Sequence, residues 1–440
     1  MGELIKSVEN EISEFEKNRK RDKEFFIVDL ANDLIKDLNA VSFNGKLYIF
    51  DKENNRYVNE NEEILKILSN TISFTSRQYK ELIYQMELKA PTTDNNICFR
   101  LNNGTLIKNN KGYYEFTTDT SMFAPFTLNV NYDENVNDKW VNKFLNDISC
   151  NNEEKKISLI ELIGSMFLIE NSPCKIFYLY GPSGSNGKST FTSMLRNFLG
   201  SNLTSNIDIG SLQDDTCMYS LIGKMLNVSD DADFSILKYS KTSRMKSIAS
   251  GETLTIRPIY MHPITAKFFC LLVVSCNNLP LFDDKSGGLS RRLVILDFSM
   301  KLKKEDKIPN MVELLSTDSA KSTILNLAIK GMNNIITNNY ELTENESINK
   351  TMSDYYLETD NVRSFLKDRN IENNEVSEVY KQYVRYCNDD ISQEAVGKNL
   401  FGSRLKLYGY VSKVKTNTQN GKKTSKRIYI KDNKINTVSL

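Results

Sequence analysis

The sequence predicts an α/β fold built on a parallel sheet, with a smaller α+β unit before it and helices with a β-wing after it. Three observations predict this. Apolar, β-rich runs at Ile176–Tyr180 and at residues 225–228, 268–275 and 293–298 alternate with helical stretches. Such continuous apolar strands belong to a parallel sheet buried on both faces. The first run leads into a glycine-rich turn and a helix, residues 181–190 (GPSGSNGKST). Near the C-terminal end, no Asp or Glu lies between Val396 and Lys431.

Bulk composition narrows the class. At 440 residues the chain holds two to four units at about 100–200 residues each. Hydrophobic residues at 40% and aromatics at 10% are those of a globular protein. The 57 basic and 56 acidic residues leave a net charge of +1, so nucleic-acid binding must be judged from local charge. The 7 cysteines are scattered without a C-x-x-C, and there is 1 histidine. A zinc site and a disulfide framework are therefore not expected, and the reduced cytoplasm is the expected location. The longest apolar run, residues 268–274, is too short to span a bilayer. Glu3, Glu9 and Glu11 interrupt any leader-like stretch, so no signal peptide is expected, and no membrane partner is expected either.

The elements follow in order. Leu4, Val8, Ile12 and Phe15 recur at helical spacing. Residues 41–58 read as a β-unit around the hairpin turn Asn44–Gly45, and a second unit surrounds Asn103–Gly104. Residues 62–88 between them, and residues 138–144 and 156–169 after them, read as helical. This places an N-terminal α+β accessory unit at residues 1–150 and the sheet-bearing core at 151–340. Residues 338–349 are polar and loop-like, and the C-terminal unit occupies 341–440.

Strand, glycine loop, Lys-Ser and helix form the context of a phosphate-binding loop. Gly181, Gly184, Ser185, Asn186, Gly187, Lys188, Ser189 and Thr190 supply it. Gly184 and Gly187 let backbone N–H groups face phosphates; Lys188 is expected to reach the β/γ-phosphates of ATP, and Ser189 to hold Mg²⁺. Gly181 and Gly187 enclose five residues where the strict pattern has four. Asp230 and Asp231 end the second apolar run; Asp230 is assigned to the magnesium shell and Asp231 to polarising the attacking water. Asn277 ends the third run, where a polar side chain projects into the ligand crevice of a parallel sheet. Arg291 and Arg292 follow a Gly-rich loop, and Arg292, with Arg291 as the alternative, is the expected arginine finger.

These elements, compacted into residues 181–292, resemble a superfamily 3 helicase, more closely the phage and plasmid primase-helicase group that includes the poxvirus replicative NTPase. The carriers are G-S-N-G-K-S-T-F, S-D-D-A, S-G-E-T-L-T-I-R-P-I-Y, N-N-L-P and R-R-L-V-I-L-D-F. The upstream segments F-R-L-N-N-G-T-L and A-P-F-T-L-N-V-N-Y-D resemble the accessory domain of that group. The resemblance implies an AAA+-type core, a homo-hexameric ring that threads a DNA strand, and ATP hydrolysis between subunits. Members of the group often serve as replication initiators of phages, plasmids and genomic islands. No primer synthesis is expected here, since the chain begins where the accessory domain should; a separate primase is a conceivable partner.

The resemblance also implies a DNA-gripping hairpin at residues 254–268, with Tyr260, Met261 and His262 near the tip and Arg257 and Lys267 on the arms. At the C-terminal end, helices and two strands around residues 417–421 describe a winged helix. One helix is expected at 376–387 and two short ones at 392–396 and 398–408. Lys398, Arg404, Lys422, Lys423, Lys426 and Arg427 make this unit the expected duplex-binding face. Two other classes share parts of this pattern. An ATP-regulated DNA-binding switch needs the same loop and wing but not the hairpin, and a small-molecule phosphotransferase needs no basic tail.

Overall fold

The computed structural model describes residues 23–432, except 71, 94–96, 171, 183, 231–238, 260–261, 280–287, 302–307, 368, 392–393 and 420–421. The expected first helix at residues 4–15 lies outside the described residues.

The centre of the molecule is a five-stranded parallel sheet. Its strands are β1 (Ile176–Tyr180), β2 (Thr204–Ser205), β3 (Leu226–Ser229), β4 (Leu271–Cys276) and β5 (Leu293–Asp297), in the order β5-β1-β4-β3-β2. The apolar runs form β1, β3, β4 and β5 because both faces are covered. On β1, Phe177 and Leu179 enter one core while Ile176 and Tyr178 enter the other. On β4, Leu271 and Val273 split from Leu272 and Val274 in the same way. That alternation is the two-residue period of a strand sandwiched between helical layers.

The first core takes Phe191, Met194 and Leu195 of helix α1 (Lys188–Leu199), Leu159 and Leu162 of helix Glu153–Ser165, and Ile324 and Ala328 of helix Asp318–Thr337. The second takes Met245 and Ile248 of helix Tyr239–Ala249, Ile256 and Ala266 of the hairpin Thr253–Ile256/Ile264–Lys267, and Tyr355 of helix Glu346–Thr359. That last helix begins inside the stretch expected to be loop. Tyr355, 4% exposed beside Tyr178 and Ile295 in one core, gives it an apolar face.

The N-terminal part carries two small sheets. One is the meander Val41–Phe43, Lys46–Asp51 and Arg56–Val58, turned at Asn44–Gly45 with φ of 51° and 75°. Both positive angles suit an Asn-Gly hairpin. The other pairs Phe99–Leu101 with Gly104–Lys108, and Leu101 is the partner of Gly104. The turn there is therefore Asn102–Asn103, and Gly104 opens the returning strand rather than the turn.

At the C-terminal end, helices Asn361–Lys367, Val376–Arg385 and Lys398–Leu407 pack with a long hairpin, Tyr410–Gln419 and Lys422–Lys431, around a separate core of Phe365, Tyr383, Phe401 and Tyr429. The helix expected at 392–396 is absent at residues 394–396. The backbone there bonds to side chains instead: Val396 N–H to Tyr383 Oη at 3.1 Å, Tyr380 O–H to Val396 O at 3.1 Å, and Asn361 Nδ2 to Glu394 O at 3.1 Å. Among the described residues no helix is long and apolar enough to cross a membrane.

Candidate functional site

In this strand order the chain leaves β1 towards β2 on one side and leaves β4 towards β5 on the other. The carboxyl ends of adjacent β1 and β4 are thus the switch point of the sheet, where an open α/β sheet leaves a ligand crevice. The glycine loop follows β1, and Asn277 follows β4.

The two meet directly. Lys188 opens α1 and is 6% exposed. Its Nζ donates to Gly181 O at 2.6 Å and to Asn277 Oδ1 at 2.9 Å. Gly181 N–H donates to Cys276 O at 3.3 Å, continuing the β1–β4 pairing into the loop. Burial pushes the Cys276 thiol up to about 12, against the pull of Lys188.

The loop needs its glycines. Gly187 has φ +88°, and a Cβ there would lie 2.6 Å from Ile148 Cγ2. A Cβ on Gly181 would lie 2.1 Å from Asn186 Nδ2 and 3.1 Å from Lys188 Nζ. Asn186 is buried beneath the loop, and Ser185 also takes a positive φ of 59°. Gly184 is exposed with open space around it, Ser189 is exposed at the first turn of α1, and Thr190 is half-buried. A sharp loop at a helix N-terminus, a lysine and an accessible hydroxyl are the parts from which a phosphate cradle is built. The donor set fits a nucleoside triphosphate with Mg²⁺.

Asp230, directly after β3, is paired. Its carboxylate accepts from Arg196 Nη2 of α1 at 2.6 Å and is 45% exposed. Service in a magnesium shell would share that carboxylate with, or take it from, Arg196. Asp231 lies outside the described residues.

The two arginines occupy different surroundings. Arg291 is exposed, and its main-chain oxygen accepts from Lys175 Nζ at 2.8 Å. Arg292 is half-buried; Nη2 and Nε donate to Ser250 Oγ at 2.7 and 3.3 Å, and Nη1 to Gly288 O at 2.6 Å.

The hairpin Thr253–Ile256/Ile264–Lys267 packs into the same core as Met245 and Ile248 of helix Tyr239–Ala249. Arg257 is exposed, and its N–H donates to Asp215 Oδ2 at 2.8 Å. Asp215 also binds Arg244 Nη2 at 2.5 Å, and these bonds, with that from Arg257 N–H first, hold its carboxyl below the ordinary value. Lys267 is half-buried, and His262 is exposed on a cleft of about 1130 Å³ that also takes in Lys46, Glu60 and Tyr219. Tyr260 and Met261 lie outside the described residues.

The basic residues of the C-terminal unit divide. Lys398 and Arg427 are exposed. Lys426, 70% exposed, sits 3.1 Å from Glu375 Oε2. Lys422 and Lys423 open the second strand of the long hairpin. Arg404 is turned inward, Nη1 3.2 Å from Asp360 Oδ1, with both side chains under 20% exposed (15% and 19%). The same carboxylate caps helix Asn361–Lys367 through Val362 N–H at 3.0 Å and accepts the Tyr408 hydroxyl.

Sequence reasoning did not find Arg196, Ser250, Asp215 or Asn44 as neighbours of these groups. Their bonds join residues 34, 42, 42 and 223 positions apart, and no local pattern marks such pairs.

Comparison with known proteins adds three findings. A family model described as a family of unknown function (DUF5906) matches residues 179–292, the stretch from the glycine loop to Arg292. A protein of Acanthamoeba polyphaga mimivirus bearing a provisional helicase name is 27% identical over 177 residues, covering 38% of this chain. The match takes in 18% of that viral protein, so the chain spans about a fifth of its length. The apo structure of the NrS-1 C-terminal region (305–718) aligns with 93% of this chain and 100% of its own, at 16% identity and a TM-score of 0.51. The chain shares the fold of that region.

Proposed function

We propose that the chain is an ATP-dependent DNA helicase that acts as a replication initiator, a homo-hexameric ring of the superfamily 3 kind hydrolysing ATP between subunits. The observation that carries this reading is the meeting of Lys188 and Asn277 across the β1–β4 switch point. A lysine at the end of a glycine loop and a polar side chain from the next strand are the two groups that must converge on a γ-phosphate. The similarity to a viral protein with a helicase name supports the same class.

In this reading the loop N–H groups of Gly184 to Lys188 bind the phosphates, and the Lys188 ammonium exchanges Gly181 O for phosphate oxygen. Ser189 and Asp230 would hold Mg²⁺, which would supply positive charge against the developing negative charge of the phosphates. Asn277 orients the attacking water or the γ-phosphate, Asp231 polarises that water, and one arginine of the Arg291–Arg292 pair serves the neighbouring protomer's nucleotide. The hairpin grips a single strand in the ring, and the C-terminal winged helix holds duplex through Lys398, Lys426 and Arg427.

Turnover and strand displacement on a forked duplex, measured together, test this. Lys188→Ala should lose both. A double variant of Tyr260 and His262 to Ala should keep turnover without DNA and lose strand displacement. Retained turnover in Lys188→Ala would overturn the site. Normal displacement by the double variant would leave an ATP-regulated DNA-binding switch as the better reading.

A further inference from the structure

Arg292 and the hairpin are joined through one hydroxyl. Arg292 ends the turn Ser290–Arg292 that feeds β5, anchored by the fully buried Leu289. Its guanidinium directs Nε and Nη2 to Ser250 Oγ and Nη1 to Gly288 O. Ser250 directly follows helix Tyr239–Ala249. Ser250 N–H returns to Lys246 O at 3.0 Å, Glu252 N–H to Ser247 O at 3.0 Å, and Gly251 takes φ +63°. This is a helix C-terminus closed by a left-handed residue, a place that favours a cation. Glu252 O then accepts Phe268 N–H at 3.1 Å, and the arms pair from Thr253 and Lys267 onward. The root of the hairpin thus hangs on the turn that Arg292 holds.

A planar guanidinium suits this task, since its fork reaches two acceptors at once. Engaged with Ser250 and Gly288, the same group is not extended towards a neighbouring subunit. We propose that Arg292 is a positioning residue working within its own chain: through Ser250 it clamps the root of the hairpin and sets the stiffness with which the arms meet a DNA strand. The proposal rests on the reading of Thr253–Ile256/Ile264–Lys267 as the strand-gripping hairpin.

Hydrogen–deuterium exchange of the full chain without nucleotide tests the clamp. Ser250→Ala and Arg292→Ala should each raise exchange of the arm amides about tenfold, the scale of one lost bond to a charged group. Ser250→Thr, which keeps the hydroxyl, should restore the wild-type rate. Arg292→Lys should not, because one ammonium replaces the fork. Arg291→Ala should leave the arms as they are. Amides of the distant strands Phe99–Leu101 and Gly104–Lys108 should be unchanged throughout, reporting an intact fold. Wild-type arm exchange in Ser250→Ala, or equal loosening by Arg291→Ala, would overturn the clamp. Stimulation of ATP turnover by single-stranded DNA should fall in Ser250→Ala and return in Ser250→Thr; loosened arms with undiminished stimulation would overturn its positioning role. A wild-type chain without ATP turnover would instead overturn the proposed function, and the exchange comparison would still decide the clamp.

Discussion

The side chain of Asn44 forms a reciprocal pair with the main chain of Lys267: Lys267 N–H donates to Oδ1 at 2.7 Å, and Nδ2 donates to Lys267 O at 2.9 Å. One amide side chain thereby does for the hairpin edge what a neighbouring strand would do. Asn44→Ala should strip both partners from a half-buried peptide group and cost about 1–3 kcal/mol. Urea unfolding with the hairpin amides followed by exchange is the measurement. Asn44→Asp should be no better than Ala, since a carboxylate would face Lys267 O where a donor is needed. Wild-type stability in both variants would mean that the pair adds nothing.

Arg291 is exposed, and the bond recorded for it among the described residues runs through its main-chain oxygen, so the proposed hexamer makes it the candidate for the arginine finger. Arg291→Ala should lower ATP turnover by about 10³-fold or more, the scale of an arginine finger, without altering nucleotide binding. Mixed with Lys188→Ala protein it should recover part of the turnover, because some interfaces then pair an intact loop with an intact arginine. Mixed rings that form but stay inactive would place Arg291 outside the reaction.

Duplex binding by the C-terminal unit should be salt-dependent. Lys398→Ala and Arg427→Ala should each flatten the log–log salt slope by about 0.9 for every phosphate that the variant leaves unneutralised. Arg404→Ala should behave differently: it removes the partner of Asp360 from a mostly buried site and should lower the melting temperature of the unit. If Arg404→Ala changed the slope without changing stability, its inward pairing would not be its role.

Burial holds the Glu161 carboxyl above its ordinary value, against the opposing bonds from the Thr343 hydroxyl and from Thr343 N–H at 3.0 Å. A raised acid favours the folded state when protonated. Its contribution is therefore complete below the unfolded carboxyl range and is lost as pH rises through the raised folded value. Glu161→Gln should flatten that loss, in melting temperatures read from pH 4 to pH 7. An unchanged pH dependence would show that Glu161 does not titrate with folding.

How far the sequence foretold the fold depends on where the information lay. β1, β4 and β5 were legible because burial on both faces leaves an unbroken apolar run. The edge strand β2 has two residues, Thr204–Ser205, and no period to read. Residues 346–349 looked like loop because helix Glu346–Thr359 starts on mostly polar residues, and its apolar positions Ile348 and Met352 are only partly buried before Tyr355. Within the site, the glycine loop was legible as a contiguous motif, and Asn277 as the end of an apolar strand. The separation of Arg291 from Arg292 was not, because it depends on Ser250, which is 42 positions away from Arg292.

The junction at Asp360 has a mechanical consequence. Helix Glu346–Thr359 is seated by Tyr355 beneath the sheet, and a single residue separates its end from helix Asn361–Lys367. That residue is pinned three ways, as a cap and by Arg404 and Tyr408. A tether of flexible residues would let the C-terminal unit search a wide volume for duplex. This coupling has no such slack. Its geometry is that of a stiff crank: a turn of the sheet-bearing body would carry the basic hairpin through an arc set by the length of one helix.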